Sequence, residues 1–253
     1  FKIAKSEFIF EKQVLQNVYV KQDYLINEKF NLGSLEIINK LKKISLLDDF
    51  YEVKNGIKVR KELLFDKLID DDFKPFILGK NIFPYFNSYD NIFIDYKIEN
   101  EKLYSNQAFR NKEIFQQEKL IVRQILGKKI VTTYDQTNFF TDQTTYVINV
   151  KNPIYSLKYL ICILNSKLMF YYFINTSSDN KIVFPKVKKS QLLDLPIVKL
   201  KNQTPFIEKA DLMLSLNKDL QEQSQKFQRT IQRKFELEDL PKKLQDWYLL
   251  SYS

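Results

Sequence analysis

The sequence contains no histidine. That removes Ser-His-Asp and Cys-His catalysis, histidine-ligated metal sites and the commonest general base together. Its one cysteine, Cys162, lies in an apolar run, so no internal disulfide forms and a reducing cytosol is expected. Four glycines cannot supply either common phosphate-cradling loop in its helical context. Four glycines and seven prolines also exclude a low-complexity chain. No apolar run is long: residues 160–173 fall short of the ~20 needed to span a bilayer, and Asn165, Ser166 and Lys167 interrupt them. The opening FKIAKSEFIFEK is charged and does not read as a signal peptide. Phe1 in place of Met reads as a segment cut from a longer chain.

What is present is a core and a lopsided charge. Hydrophobic residues make up 44% of 253, with 21 Phe and 15 Tyr, enough for one large domain or one domain with an appendage. The net charge is +9, and it is concentrated. Between Lys119 and Lys199 stand 12 Lys/Arg against four acids, Asp135, Asp142, Asp179 and Asp194. Such an excess favours a polyanionic partner, because each neutralised phosphate releases counterions.

Taken in order, residues 1–45 form a lead-in or linker segment, in which Ser34 is placed to cap a short amphipathic helix, LEIINKLKKI. Residues 46–98 read as strands and turns, with Asn55-Gly56 as a hairpin signal before the alternating Ile57-Lys58-Val59-Arg60. LIVRQILGKKIVTTYD, residues 120–135, reads as two strands around a tight turn at Gly127. Ser156 caps LKYLICILNSKLMFYYFIN, apolar on nearly every face and therefore expected to be one buried helix. From Pro205 a long helix with Met213, Leu216, Leu220, Phe227 and Ile231 at roughly heptad spacing runs towards a break at Pro241.

The expected fold is α+β: a mixed, mostly antiparallel β core over 46–200 with the 157–174 helix packed on it, then a helical docking region over 201–253. The polar residues that suit DNA lie in or beside strand–turn segments: Lys58, Arg60, Lys80, Arg123, Gln124, Lys128, Lys129, Gln143, Lys181, Lys186 and Lys188. Arg and Gln have donor geometries that match guanine and adenine edges, and turn lysines match phosphates. Their placement points to loops and strand ends entering a groove, not to one recognition helix. Two other classes stay open. One is a module that bridges protein subunits, with solubilising lysines. The other is a metal nuclease using the acid-x-Lys spacing of Asp72 or Asp179.

Several blocks, in their order, resemble a known family. They are YEVKNGIKV, PFILGKNIFPYF, KLIVRQILGKKIVTTYD, YLICILNSKLMFYYF and FPKVKKSQLLDLPI. Leu-Asn-Ser-Lys-Leu at 164–168 and Leu-Pro-Ile at 195–197 are the most specific parts. Together they resemble the TaqI-like C-terminal specificity domain, the target-recognition domain of type IIG restriction–modification enzymes and N6-adenine methyltransferases. KADLMLSLNKDL resembles the helical tail of the same enzymes and of type I specificity subunits. Neither Asn-Pro-Pro-Tyr nor a glycine-rich S-adenosylmethionine motif is present. The resemblance therefore implies a non-catalytic recognition fragment with no cofactor of its own. S-adenosylmethionine and Mg2+ would serve missing catalytic domains. The implied partners are double-stranded DNA and those methyltransferase or nuclease domains, with no membrane.

Overall fold

The computed structural model describes residues 32–97, 111–127, 129–177, 186–245 and 247–250. The described residues begin with helix α1 (Leu32–Leu41), which buries Leu35 and Ile38. Ser34 lies inside this helix and does not precede it. Among the described residues ten strands follow: β1 (Tyr51–Asn55), β2 (Leu64–Phe65), β3 (Phe73–Ile77), β4 (Ile82–Phe83), β5 (Phe86–Asn87), β6 (Phe93–Asp95), β7 (Lys119–Arg123), β8 (Thr132–Asp135), β9 (Phe140–Thr141) and β10 (Thr145–Val150). Helices α2 (Leu157–Leu164), α3 (Lys167–Thr176), α4 (Lys189–Leu193), α5 (Thr204–Phe235) and α6 (Lys242–Gln245) complete it. The α+β expectation holds.

The organising element is an antiparallel sheet of order β1-β10-β7-β8. Its two central strands, β10 and β7, are largely apolar runs because both faces are covered. Alternation sends Tyr51, Val53, Leu120, Val122, Tyr146 and Ile148 to one face, against α1, α2 and α3. Val147 and Ile121 turn to the other face. There they meet a second sheet of order β2-β6-β3-β9, antiparallel except for the β3–β9 pair, and the β4–β5 ribbon. Three layers result, helices on sheet on sheet.

The expected single helix after Ser156 is two. Ser156 caps α2 by accepting from Lys158 N at 3.1 Å, and Ser166 caps α3 by accepting from Met169 N at 3.0 Å. The axes bend by 63° between them. Asn165, at the break, does what a strand would do. Its Oδ1 accepts from Thr132 N at 3.0 Å and its Nδ2 donates to Thr132 O at 2.9 Å. The side chain thus completes the open edge of β8, and the helix breaks to let it reach. Asn165→Ala leaves the fully buried Thr132 N–H without a partner. We expect a loss of about 1–3 kcal/mol, read from the urea midpoint, and a loss below about 0.5 kcal/mol would contradict this role.

Helix α5 runs 32 residues, about 48 Å at the usual rise. Its first turns join the core through Ala210 and Phe206. Lys158 also pairs with Asp211 at 2.7 Å. The helix ends at Phe235, before the expected break at Pro241, because Glu236 turns left-handed (φ 51°). The N–H groups of Glu236 and Leu237 both return to Gln232 O. The following segment folds back on α5. The Trp247 ring packs tilted against Phe227, centroids 4.5 Å apart, and its indole N–H donates to Ser224 Oγ at 3.2 Å. Among the described residues no single helix is long and apolar enough to cross a membrane.

Candidate nucleic-acid interface

Strands β1 and β7 end, and β8 and β10 begin, at one end of the central sheet. The register places Asn55 opposite Tyr146, Arg123 opposite Thr145 and Val122 opposite Thr132. Five segments leave or approach there and bond to one another. Gly56 N donates to Thr145 O at 3.1 Å and Ile57 N to Thr141 O at 2.7 Å. Gly79 N donates to Asp142 Oδ1 at 3.0 Å. Gln124 N donates to Thr144 O at 2.9 Å, and Val187 N to Gln124 O at 2.8 Å. Ile125 and Lys186 form an antiparallel bridge.

Asp142 is the knot of this network. Besides Gly79 N–H it accepts from Thr144 Oγ1 at 2.7 Å. Burial pushes its carboxyl above the usual range, and these bonds pull the other way. The two glycines are needed for closeness. A Cβ at Gly56 would run into the Asp142 carbonyl, and one at Gly79 into the Thr144 hydroxyl. Asn55-Gly56 is therefore no hairpin turn. Strand β1 pairs with β10, and the glycine lets the chain press on the 141–142 backbone. Gly127 likewise makes no tight turn: eight residues separate β7 from β8, and no described glycine has positive φ.

The network gathers most of the sequence-predicted residues. Lys58 and Arg60 follow Ile57 and are exposed. Lys80 is exposed beside Gly79, with Nζ 3.3 Å from Asp90. Lys129 is exposed in the β7–β8 loop and Gln143 in the β9–β10 turn. Lys186 and Lys188 are exposed where the 186–188 segment bridges that loop. Lys128 and Lys181 lie outside the described residues. Lys189, exposed at the start of α4, belongs with them. The KVKK run already displayed it in the sequence.

Arg123 and Gln124 hold structural positions in this conformation. Arg123 is half-buried, Nε donates to Ile125 O at 2.9 Å, and burial lowers its pKa. Gln124 Nε2 donates to Gln143 O at 2.8 Å and to Thr145 O at 3.3 Å. Both side chains brace the loops that carry the exposed lysines.

Several other cations of the basic half are spent elsewhere. Lys119 is fully buried against Asp135. Lys151 pairs with Asp48 at 2.7 Å at the opposite sheet end, and Lys199 lies over the Phe50 ring at 5.4 Å. Asp72 meets Lys112 at 3.7 Å, and among the described residues no group of three or more His, Cys, Asp or Glu could hold a metal ion. Asp179 lies outside the described residues.

Residues 74–197, which supply all but the first of these segments, match the family model of the TaqI-like C-terminal specificity domain. The chain carries a TaqI-like C-terminal specificity domain. Residues 199–253, chiefly α5 and the segment folded on it, match a model described as a domain of unknown function (DUF8810). Among solved structures, the type IIG restriction endonuclease BpuSI shares the fold: TM-score 0.51 and 15% identity, covering 71% of this chain and 28% of that one. The HsdS subunit from Thermoanaerobacter tengcongensis matches at TM-score 0.42 and 10% identity, over 84% of this chain and 48% of that one. The type I restriction-modification system S subunit from M. genitalium matches at 0.46 and 12%, over 89% and 56%. This chain therefore spans between about a quarter and just over a half of these chains. No curated protein matches it in sequence.

Within the specificity domain, sequence reasoning missed the residues that hold the loops in place. Asp142 and Thr144 read as ordinary turn residues. Asn165 sits in the most family-like block, but nothing local says that it serves a strand 33 residues away. Tyr85 takes φ 61°, a region that costs a bulky residue about 1–3 kcal/mol. Its N–H donates to Thr132 O at 3.0 Å, which binds the β4–β5 ribbon to the start of β8.

Proposed function

We propose that the specificity domain reads duplex DNA for a restriction–modification enzyme. On this reading the sheet end that bears Lys58, Lys80, Lys129, Gln143, Lys186 and Lys188 faces the DNA. The observation that carries it is the joining of five segments, distant in sequence, into one hydrogen-bonded edge, with exposed lysines on or beside four of them and exposed Gln143 on the fifth. The lysines hold phosphates and set register. Gln143, exposed at the tip of the β9–β10 turn, is the side chain best placed to meet a base edge. Arg123 and Gln124 support that turn from behind. The fragment is a binding unit. The methyl donor and the metal ion would act in catalytic parts beyond these 253 residues, and α5 would dock on those parts.

A salt titration tests this. With about five phosphates neutralised, log K should fall with a slope near −4.5 against log salt. Affinity for duplex DNA then drops on the order of 100- to 1,000-fold between about 50 and 200 mM salt. Fluorescence anisotropy with the whole chain reads it. No binding at the lowest salt, or a flat salt response, would overturn the proposal.

A further inference from the structure

The β4–β5 ribbon carries an aromatic tip beside this basic edge. Alternation sends Ile82 inward, fully buried, and Phe83 outward, 42% exposed. Phe83 faces Phe86 across the ribbon, with ring centroids 6.0 Å apart. Pro84 fixes the first turn residue and Tyr85 follows in its left-handed conformation. That conformation is held from both sides. The Tyr85 N–H is bound to Thr132, and its phenol packs beside Cys162 and Asn165, where burial raises its pKa to about 12. At the base of the ribbon Asn81 Nδ2 donates to Ser88 Oγ and to Asp90 Oδ2, both at 3.0 Å. Ser88 N returns to Asn81 O, also at 3.0 Å.

The tip is thus rigid, and Thr132, on which it rests, is where the loop bearing Lys129 re-enters the sheet. A large apolar side chain held out of the core on a strained turn is a cost that folding alone does not require. Next to phosphate-binding lysines, a rigid apolar side chain can part a base step and kink the duplex. Pyrimidine–purine steps open most easily, so such a wedge converts local stiffness of the DNA into selectivity. We propose that Phe83 is a wedge that enters one base step of the bound duplex and so determines part of the specificity. This rests on the DNA reading above.

The test uses the whole chain. Duplexes enriched by it from a random pool at low salt are remade with 2-aminopurine at successive positions. Wild-type protein should brighten the probe at one step, by unstacking it. Phe83→Ala should abolish the brightening and weaken binding about tenfold, with the salt slope unchanged because no phosphate contact is lost. Phe83→Trp should keep both. Binding without brightening at any position, or brightening that survives Phe83→Ala, overturns the wedge and leaves the DNA reading standing. A wild-type chain that binds no duplex overturns that reading, and the wedge with it. Melting curves of both variants confirm that the fold is intact.

Discussion

Lys119→Met should lower the stability of the chain by about 3–5 kcal/mol, the usual cost of breaking a buried ion pair from one side. Lys119 opens β7 and Asp135 closes β8, directly opposite in register. Nζ lies 2.5 Å from Oδ2, with side-chain exposures of 0% and 1%. Lys119 Nζ also donates to Phe115 O at 2.6 Å. Asp135 accepts further from Thr137 N at 2.9 Å, Thr137 Oγ1 at 2.6 Å and Phe139 N at 3.0 Å. Burial lowers the Lys119 pKa, and the carboxylate opposes that shift. Removing the ammonium leaves a carboxylate in the core with neutral donors only. Urea denaturation should show the loss, with a melting point lower on the order of 10 °C. Lys119→Met combined with Asp135→Asn should be less destabilised than the two single losses added together, since no charge then remains. A single variant within about 0.5 kcal/mol of wild type would refute the account.

Replacing Lys58, Lys129 and Lys186 together by Ala should weaken duplex binding by about two to three orders of magnitude at 0.1 M salt. Each phosphate contact contributes nearly one decade there through counterion release, and the salt slope should shrink by about 3. The three residues come from the β1 extension, the β7–β8 loop and the 186–188 segment, all at one sheet end. All three are exposed, so their removal should leave stability nearly unchanged. The matched control is Lys112, Lys151 and Lys199 to Ala. It removes the same charge, but these residues are engaged with Asp72, Asp48 and the Phe50 ring. Were both triples to weaken binding equally, net charge and not this edge would govern affinity.

The two results bear on the same point. Counting cations from 119 to 199 included Lys119 and set Asp135 against the excess. Within the fold they cancel inside the core and contribute nothing to the surface field. Lys151 and Lys158 enter ion pairs with acids outside that stretch. The excess motivates the kind of partner proposed. It did not indicate which lysines would meet it.

Much of the fold was legible because local periodicity carried it. The apolar runs of β7 and β10, the serine cap at 156 and the start of α5 all announce themselves within a few residues. The misreadings share a cause. Asn55-Gly56 and Gly127 have the composition of turns, but a glycine serves close approach as well as positive φ, and only the neighbouring strand decides which. The break at Asn165 depends on an unpaired strand edge that no local window contains. Likewise Arg123 and Gln124 have the donors of base readers, and the carbonyls of Ile125, Gln143 and Thr145 take them.

The sequence by itself determined the α+β class, the family likeness and the charge imbalance from which a polyanionic partner is proposed. These follow from residue type and short-range pattern, which survive without knowing what touches what. The tertiary structure decided which glycine is crowded, which lysine is buried and which polar groups remain available at the basic edge. Those depend on hydrogen bonds between segments tens of residues apart, and a polar side chain is free to meet DNA only if no backbone group has claimed it first.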